Sequence, residues 1–180
     1  LQYTWLRSMT DSYIDFWSIT QNSLDFALET HKLQNDLVLK ERLLALYWEL
    51  QPYSEVSQML KDLKENGIKT AILSNGSPEM LSGAVRSSDL NEFIDEIISV
   101  DTVKIFKPSA RVYEQVENII GCSKADVLFV SSNGWDIAGA AGFGFTTAWV
   151  NRLKDPIDRL PNKPMHIVEN LTSIPSFFSS

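Results

Sequence analysis

Residues 68–77 read IKTAILSNGS and residues 127–136 read VLFVSSNGWD, and the fold turns on these two stretches. Each carries four to five apolar or β-branched residues, too few for a buried helix, and then stops in Ser, Asn and Gly. A short apolar run bounded by such turn residues is the pattern of a strand buried on both faces, as in a parallel sheet. Both strands bring a hydroxyl and an amide to their carboxyl ends, where ligands bind in open α/β sheets. Ser74, Asn75, Ser131, Ser132 and Asn133 are therefore candidates for one site, with capping of the following helices as the competing reading. Ser77, followed by Pro78 and Glu79, reads as a helix start.

Outward from these strands, residues 53–180 alternate between amphipathic helix and buried strand. A helix over 54–65 presents Val56, Met59, Leu60 and Leu63 on one face and stops at Asn66-Gly67. A strand over 68–73, a helix over 78–85, a short strand over 96–100 and a helix over 110–120 follow. Then come a strand over 127–130, a Gly/Ala-rich helix over 135–141 and a strand over 146–150. The proline-rich tail holds a last short strand near Ile167 and a closing helix. Such alternation predicts an α/β fold, a Rossmann-like parallel sheet with helices on both faces. Residues 1–52 differ: there is no Gly and no Pro before Pro52, and leucines recur at helical spacing, as at Leu24 and Leu28 and at Leu39, Leu43, Leu46 and Leu50. This part reads as an all-helical subdomain with Asp11, Ser23 and Asn35 as candidate N-caps.

The 180 residues are 44% apolar and 22% charged, the composition of a soluble protein of one domain plus a subdomain. The net charge of −7, with no Lys/Arg stripe, argues against nucleic acid as a partner. No stretch is long enough to span a membrane, and residues 1–7 lack the basic start and apolar middle of a signal peptide. One cysteine, Cys122, fits a reducing compartment, so the cytoplasm is the expected location. The aromatics Tyr3, Trp5 and Trp48 are candidates for a homodimer face, although a core would use the same residues.

Several residues could carry chemistry. Lys107 precedes Pro108, which holds it on an extended segment between a strand and a helix, where it is either a fixed ammonium or a solvated surface lysine. Asp136 is either an ordinary first-turn acid, favoured by the helix dipole, or a group that positions a lysine or a water. Tyr113 reads as core before catalysis, and Trp135 as a large apolar wall. His31 and His166 have no partner at metal-ligand spacing, and the chain has no Gly-rich phosphate loop, no paired Cys and no GxSxG.

Taken in order and spacing, LQYTWLRS, AILSNGSPEML, ISVD with FKPSARVYE, LFVSSNGWD and GFTTAWVNR closely resemble the (S)-2-haloacid dehalogenases (type II) of the haloacid dehalogenase superfamily. The resemblance covers nearly the whole chain. It implies hydrolysis of short (S)-2-haloalkanoic acids to (R)-2-hydroxy acids through an aspartyl ester, without cofactor or metal. It implies that Ser74 and Asn75 bind the substrate carboxylate and line the halide side. By the same resemblance Lys107 pairs with the nucleophilic carboxylate, Tyr113 hydrogen-bonds nearby, and Ser131 and Asn133 orient the nucleophile. Asp136 would hold Lys107 or help activate the hydrolytic water, and Leu1, Phe16 and Trp135 would form the apolar wall. Phosphatases of the superfamily carry a second acid four positions before the final Asp; here that position is Ser132, which disfavours a Mg²⁺-dependent phosphatase. The family's nucleophile, an Asp in a D-x-Y-G-T context on the central first strand, and its halide-binding Arg have no counterpart in the chain. Two strand edges left without that strand between them are the expected consequence. A catalytically inactive fragment or binding module of the same fold is the alternative reading.

Overall fold

The computed structural model describes residues 1–178. Helices fill its first part: α1 (Gln2–Met9), α2 (Phe16–Thr30) and α3 (Leu37–Ala45), followed by a 3-10 turn at Leu46–Trp48. From α4 (Val56–Glu65) onward helix and strand alternate, through β1 (Ala71–Ser74), α5 (Pro78–Ser87), β2 (Glu96–Ser99) and α6 (Ala110–Ile120). The alternation continues through β3 (Leu128–Ser131), α7 (Gly134–Phe143), β4 (Thr146–Val150) and β5 (His166–Val168), and a 3-10 stretch at Leu171–Phe178 closes it. No helix among the described residues is long and apolar enough to cross a membrane.

The caps of the first helices differ from those the sequence suggested. Asp15, directly before α2, accepts the Ser18 amide at 2.9 Å and the Ser18 hydroxyl at 2.6 Å, which holds its carboxyl below the usual range. Asp11 instead occupies a left-handed turn at φ 51°. Asp36 replaces Asn35, accepting the Leu39 amide at 2.9 Å, and Ser23 lies inside α2. In both cases the carboxylate one residue before the first helical position is the one that reaches the free amides. At the other end of α4, Gly67 turns the chain at φ 70°, a conformation that costs a side chain but not a glycine.

The strands form two parallel ladders. β1 pairs with β2, from Ala71 opposite Glu96 to Ser74 opposite Ser99. β4 lies between β3 and β5, with Phe129 opposite Thr147 and Trp149 opposite Ile167. No ladder joins β1 to β3 among the described residues. Side chains connect the two parts instead: Leu73 of β1 packs against a cluster of Ile98, Tyr113, Phe129, Ile137 and Trp149. Alternation along β3 and β4 sends Phe129 and Trp149 into that cluster under α6 and α7. Leu128, Val130 and Ala148 go to the other face, against Met59, Leu60 and Leu63 of α4 and Ile174. Helices therefore cover both faces. A third cluster joins the helical part to the rest, as Ile19 packs with Val100, Phe106 and Val112, flanked by Tyr3, Tyr13 and Phe16. Phe106 and Val112 are 1% and 0% exposed, and each such side chain stabilises the fold by about 2 kcal/mol on burial.

Candidate active site

Asp136 is placed by the start of α7. Asn133 is the N-cap, and its carbonyl accepts the amides of Asp136 at 3.1 Å and Ile137 at 3.0 Å, so Asp136 lies in the first turn where the helix dipole favours an acid. The residues behind it are small, and the size matters: a Cβ on Gly139 would stand 2.5 Å from the Tyr113 hydroxyl and 2.6 Å from Pro108 Cβ. Glycine there lets α7 approach α6 and the Lys107 segment closely enough for the side chains to meet.

They meet on the Asp136 carboxylate. Its Oδ1 accepts from the Tyr113 hydroxyl at 2.8 Å, and its Oδ2 accepts from Lys107 Nζ at 2.9 Å and from Ser131 Oγ at 3.3 Å. Both oxygens are engaged, and Lys107 and Asp136 are each 5% exposed. Desolvation by burial pulls the Lys107 ammonium below the ordinary lysine value, against the opposing pull of Asp136. Burial first, then the charge and hydrogen bond of Asp136, push the Tyr113 phenol well above its usual range. The ammonium also lies 4.9 Å from the Phe129 ring centroid, a face that favours a cation. A buried pair held this way yields little net stability, because desolvating two charges offsets most of their attraction. The pair fixes a buried lysine side chain near the carboxyl ends of the strands.

The loop after β1 closes the site from the other ladder. Asn75 Oδ1 accepts the Lys107 amide at 3.0 Å, and Ser74 Oγ accepts the Gly76 amide at 3.1 Å. Ser99, at the end of β2, donates to the Gly76 carbonyl at 2.7 Å and accepts the Asp101 amide at 3.1 Å. Polar tips from both ladders thus converge on one place. Lys107 is buried and paired, not a solvated surface lysine, and Tyr113 is at once core, at 0% exposure, and hydrogen-bonded to the cluster.

Other candidates stand further out. The Asn133 side chain is exposed, with only its backbone engaged, its amide donating to Ser131 Oγ at 3.2 Å. Ser132 is exposed, its carbonyl accepting from Trp149 Nε1 at 3.1 Å. Phe16 packs at 6.4 Å from Phe106, one residue before Lys107. Leu1 is 58% exposed and belongs to none of the three buried clusters. Trp135 meets Trp5 edge to face at 5.8 Å, and both indole Nε1 atoms are buried without a hydrogen-bond partner among the described residues. Trp5 is therefore packed against Trp135 and not part of an open face, and Tyr3 packs inward too. Trp48 lies half-covered over Gly83, on the edge of Trp17 at 5.4 Å.

Sequence reasoning passed over Ser99 and Gly139, and read Trp5 only as a homodimer-face or core residue. The hydroxyl that ends the apolar run of β2 repeats the pattern of Ser74 and Ser131, so Ser99 was discoverable. Nothing local in the sequence marks Gly139 as a close-approach position, or Trp5 as the neighbour of Trp135.

Residues 2–144 match a family described as haloacid dehalogenase-like hydrolase. (S)-2-haloacid dehalogenase 1 of Pseudomonas sp. (strain CBS-3) is 44% identical over 175 residues, covering 97% of this chain and 77% of that protein. (S)-2-haloacid dehalogenase of Pseudomonas sp. (strain YL) is 39% identical over 180 residues, covering 100% of this chain and 78% of that one. Among solved structures, the L-2-haloacid dehalogenase of Xanthobacter autotrophicus with chloropropionic acid covalently bound superposes at a TM-score of 0.89 with 35% identity, covering 98% of this chain and 80% of that one. A phosphatase of the same superfamily from Thermococcus onnurineus, 22% identical at a TM-score of 0.61, shares the fold.

Proposed function

The chain belongs to the haloacid dehalogenase-like hydrolases, its close relatives being (S)-2-haloacid dehalogenases, and from that premise we propose that it is the greater part of an enzyme hydrolysing short (S)-2-haloalkanoic acids to (R)-2-hydroxy acids. The observation that carries this reading is the buried Lys107 ammonium at the shared strand ends, held by Asp136 while Asn75 holds its backbone. In this reading a carboxylate attacks C2 from the side opposite the halide. The halide leaves with the bonding pair, an ester forms, and water then cleaves it to the inverted hydroxy acid.

Asp136 does not serve as that nucleophile, because both of its oxygens are engaged by Tyr113, Lys107 and Ser131. The D-x-Y-G-T aspartate that the resemblance implies is not among these 180 residues. The roles of the residues present are those the resemblance implies, and for Lys107, Asp136, Tyr113 and Ser131 the contacts support them. Lys107 keeps the attacking carboxylate ionised at close range, and Asp136, itself held by Tyr113 and Ser131, holds the ammonium. Ser74 and Asn75 receive the substrate carboxylate, and Asn133 steadies the nucleophile. Trp135 with Phe16 and Leu1 excludes water from C2. Residues 1–52 act as the cap and residues 53–180 as the core. A Mg²⁺-dependent phosphatase fits less well: Ser132 supplies no anion, and Asp136 is already tied to an ammonium and a phenol.

The reading extends to a cytoplasmic location, in keeping with the free Cys122, and to a homodimer. The face offered to a second copy is α3 with its following turn: α3 buries no residue, and Leu37, Val38 and Leu46 are exposed. Assay of the protein from its full reading frame tests the activity: chloride is released from (S)-2-chloropropionate and (R)-2-hydroxypropionate accumulates. Absence of halide release would overturn the reading.

A further inference from the structure

Lys107 stands on neither a helix nor a strand, so something other than a backbone ladder must fix where its ammonium points. Two consecutive amides of its segment are held by side chains from different layers. The Phe106 amide donates to Ser8 Oγ of α1 at 3.1 Å, and the Lys107 amide donates to Asn75 Oδ1 at 3.0 Å. The Phe106 ring, 1% exposed, stacks on Tyr13 with centroids 5.0 Å apart and planes at 25°. The Tyr13 hydroxyl in turn donates to the Asp101 carboxylate. Lys104 Nζ reaches the same carboxylate at 3.4 Å and lies 5.0 Å from the Tyr13 ring centroid. The irregular segment from Asp101 to Lys107 is therefore gripped at both ends by α1 and the turn that follows it, with the ring of Phe106 locked between.

We propose that Ser8 and Tyr13 are positioning residues for Lys107, setting from the helical part of the chain the backbone from which the ammonium reaches the reacting centre. This rests on the reading of Lys107 as a catalytic group. The physical basis is that two neighbouring amides bonded in different directions leave the intervening backbone little freedom to rotate. A lysine stem of four methylenes would otherwise follow any shift of its Cα, and displacement of a catalytic group by 1 Å costs on the order of a hundredfold in rate. Ser8 and Tyr13 touch no reacting atom; they act through Phe106 and Asp101.

The test compares Ser8→Ala, Tyr13→Phe and Ser8→Thr with the unaltered protein, all made from the full reading frame. Thr10→Ala, on the same helix end and exposed, is the control. Two readouts are taken: kcat and KM for halide release from (S)-2-chloropropionate, and the NMR titration midpoint of the Lys107 ε-methylene, whose charged or polar neighbours are Asp136 and Tyr113, with Ser131 bonded to Asp136 behind them. Ser8→Ala and Tyr13→Phe are expected to lower kcat about tenfold or more, with KM changed less than about twofold. They should also move the Lys107 midpoint up toward the ordinary lysine value, as the loosened side chain gains water. Ser8→Thr, which keeps the hydroxyl, should restore both, and Thr10→Ala should change neither. Variants that melt earlier yet leave kcat and the Lys107 midpoint unchanged would overturn the proposal, because a merely structural contact behaves that way. If the unaltered protein releases no halide, the functional reading fails while the midpoint comparison still decides the positioning claim. Should Tyr13→Phe not fold, Ser8→Ala, which removes one oxygen, decides it alone.

Discussion

Lys107→Met removes the ammonium while keeping the stem, and the cost falls on Asp136, whose Oδ2 then faces buried surroundings with Ser131 as its remaining partner. Loss of one member of a buried pair is expected to destabilise the fold by about 3 kcal/mol, measured by urea denaturation, and to abolish halide release. The same comparison has a pH dependence of known sign. Burial lowers the folded pKa of Lys107, so between that value and the ordinary lysine value the unfolded chain binds the proton and the folded chain does not. Stability of the unaltered protein relative to Lys107→Met therefore rises as pH rises through that window. A difference that stays flat or falls would contradict the burial of a charged lysine. The residue types at this site were legible, since SNG, KP and SSNGWD announce them. Their mutual contacts were not, because spacing along the chain does not say which way an extended lysine faces.

α7 shows how an element serves the site by what it lacks. Gly139→Ala would push a methyl group to within 2.5 Å of the Tyr113 hydroxyl and 2.6 Å of Pro108, both in tightly packed surroundings. Overpacking of this kind is expected to cost about 2 kcal/mol and, by shifting Tyr113 and Asp136, about tenfold in kcat. Gly134→Ala is the matched control: no atom lies within 4 Å of its added Cβ, and the expected change is within about 0.5 kcal/mol. Thermal denaturation and steady-state kinetics of the two variants separate close approach from loss of glycine as such. Element boundaries read from the sequence were closest where the apolar pattern was cleanest, with α6 at Ala110–Ile120 and β4 at Thr146–Val150 as expected. β1 begins later than its apolar run, since the Thr70 amide donates to the Asp95 carboxylate at 2.7 Å in place of a ladder carbonyl. Side-chain capture of a backbone donor leaves little trace in local propensity.

On the scale of the molecule, the α3 face makes its own prediction. Val38→Lys with Leu46→Lys places two charges where apolar side chains are exposed, so the fold should keep its melting temperature while the sedimenting mass drops from two copies to one. An unaltered protein that sediments as one copy at micromolar concentration would rule out the homodimer. The two ladders behave as one body because side chains bridge them: Leu73 lies against the Ile98, Tyr113, Phe129 and Trp149 cluster, and the Lys107 segment is bonded to Asn75 on one side and Asp136 on the other. By itself the sequence determined the α/β alternation, the helical first part, the family and the residue types at the strand ends, since each is written in local periodicity or in short contiguous motifs. Only the tertiary structure decided that Asp136 uses both oxygens within the chain, that Trp5 closes on Trp135, and that Ser8 and Tyr13 grip the segment bearing Lys107. Those facts depend on pairs as far apart in sequence as Trp5 and Trp135, whose meeting is set by how layers pack and by no pattern that either residue carries in its own neighbourhood.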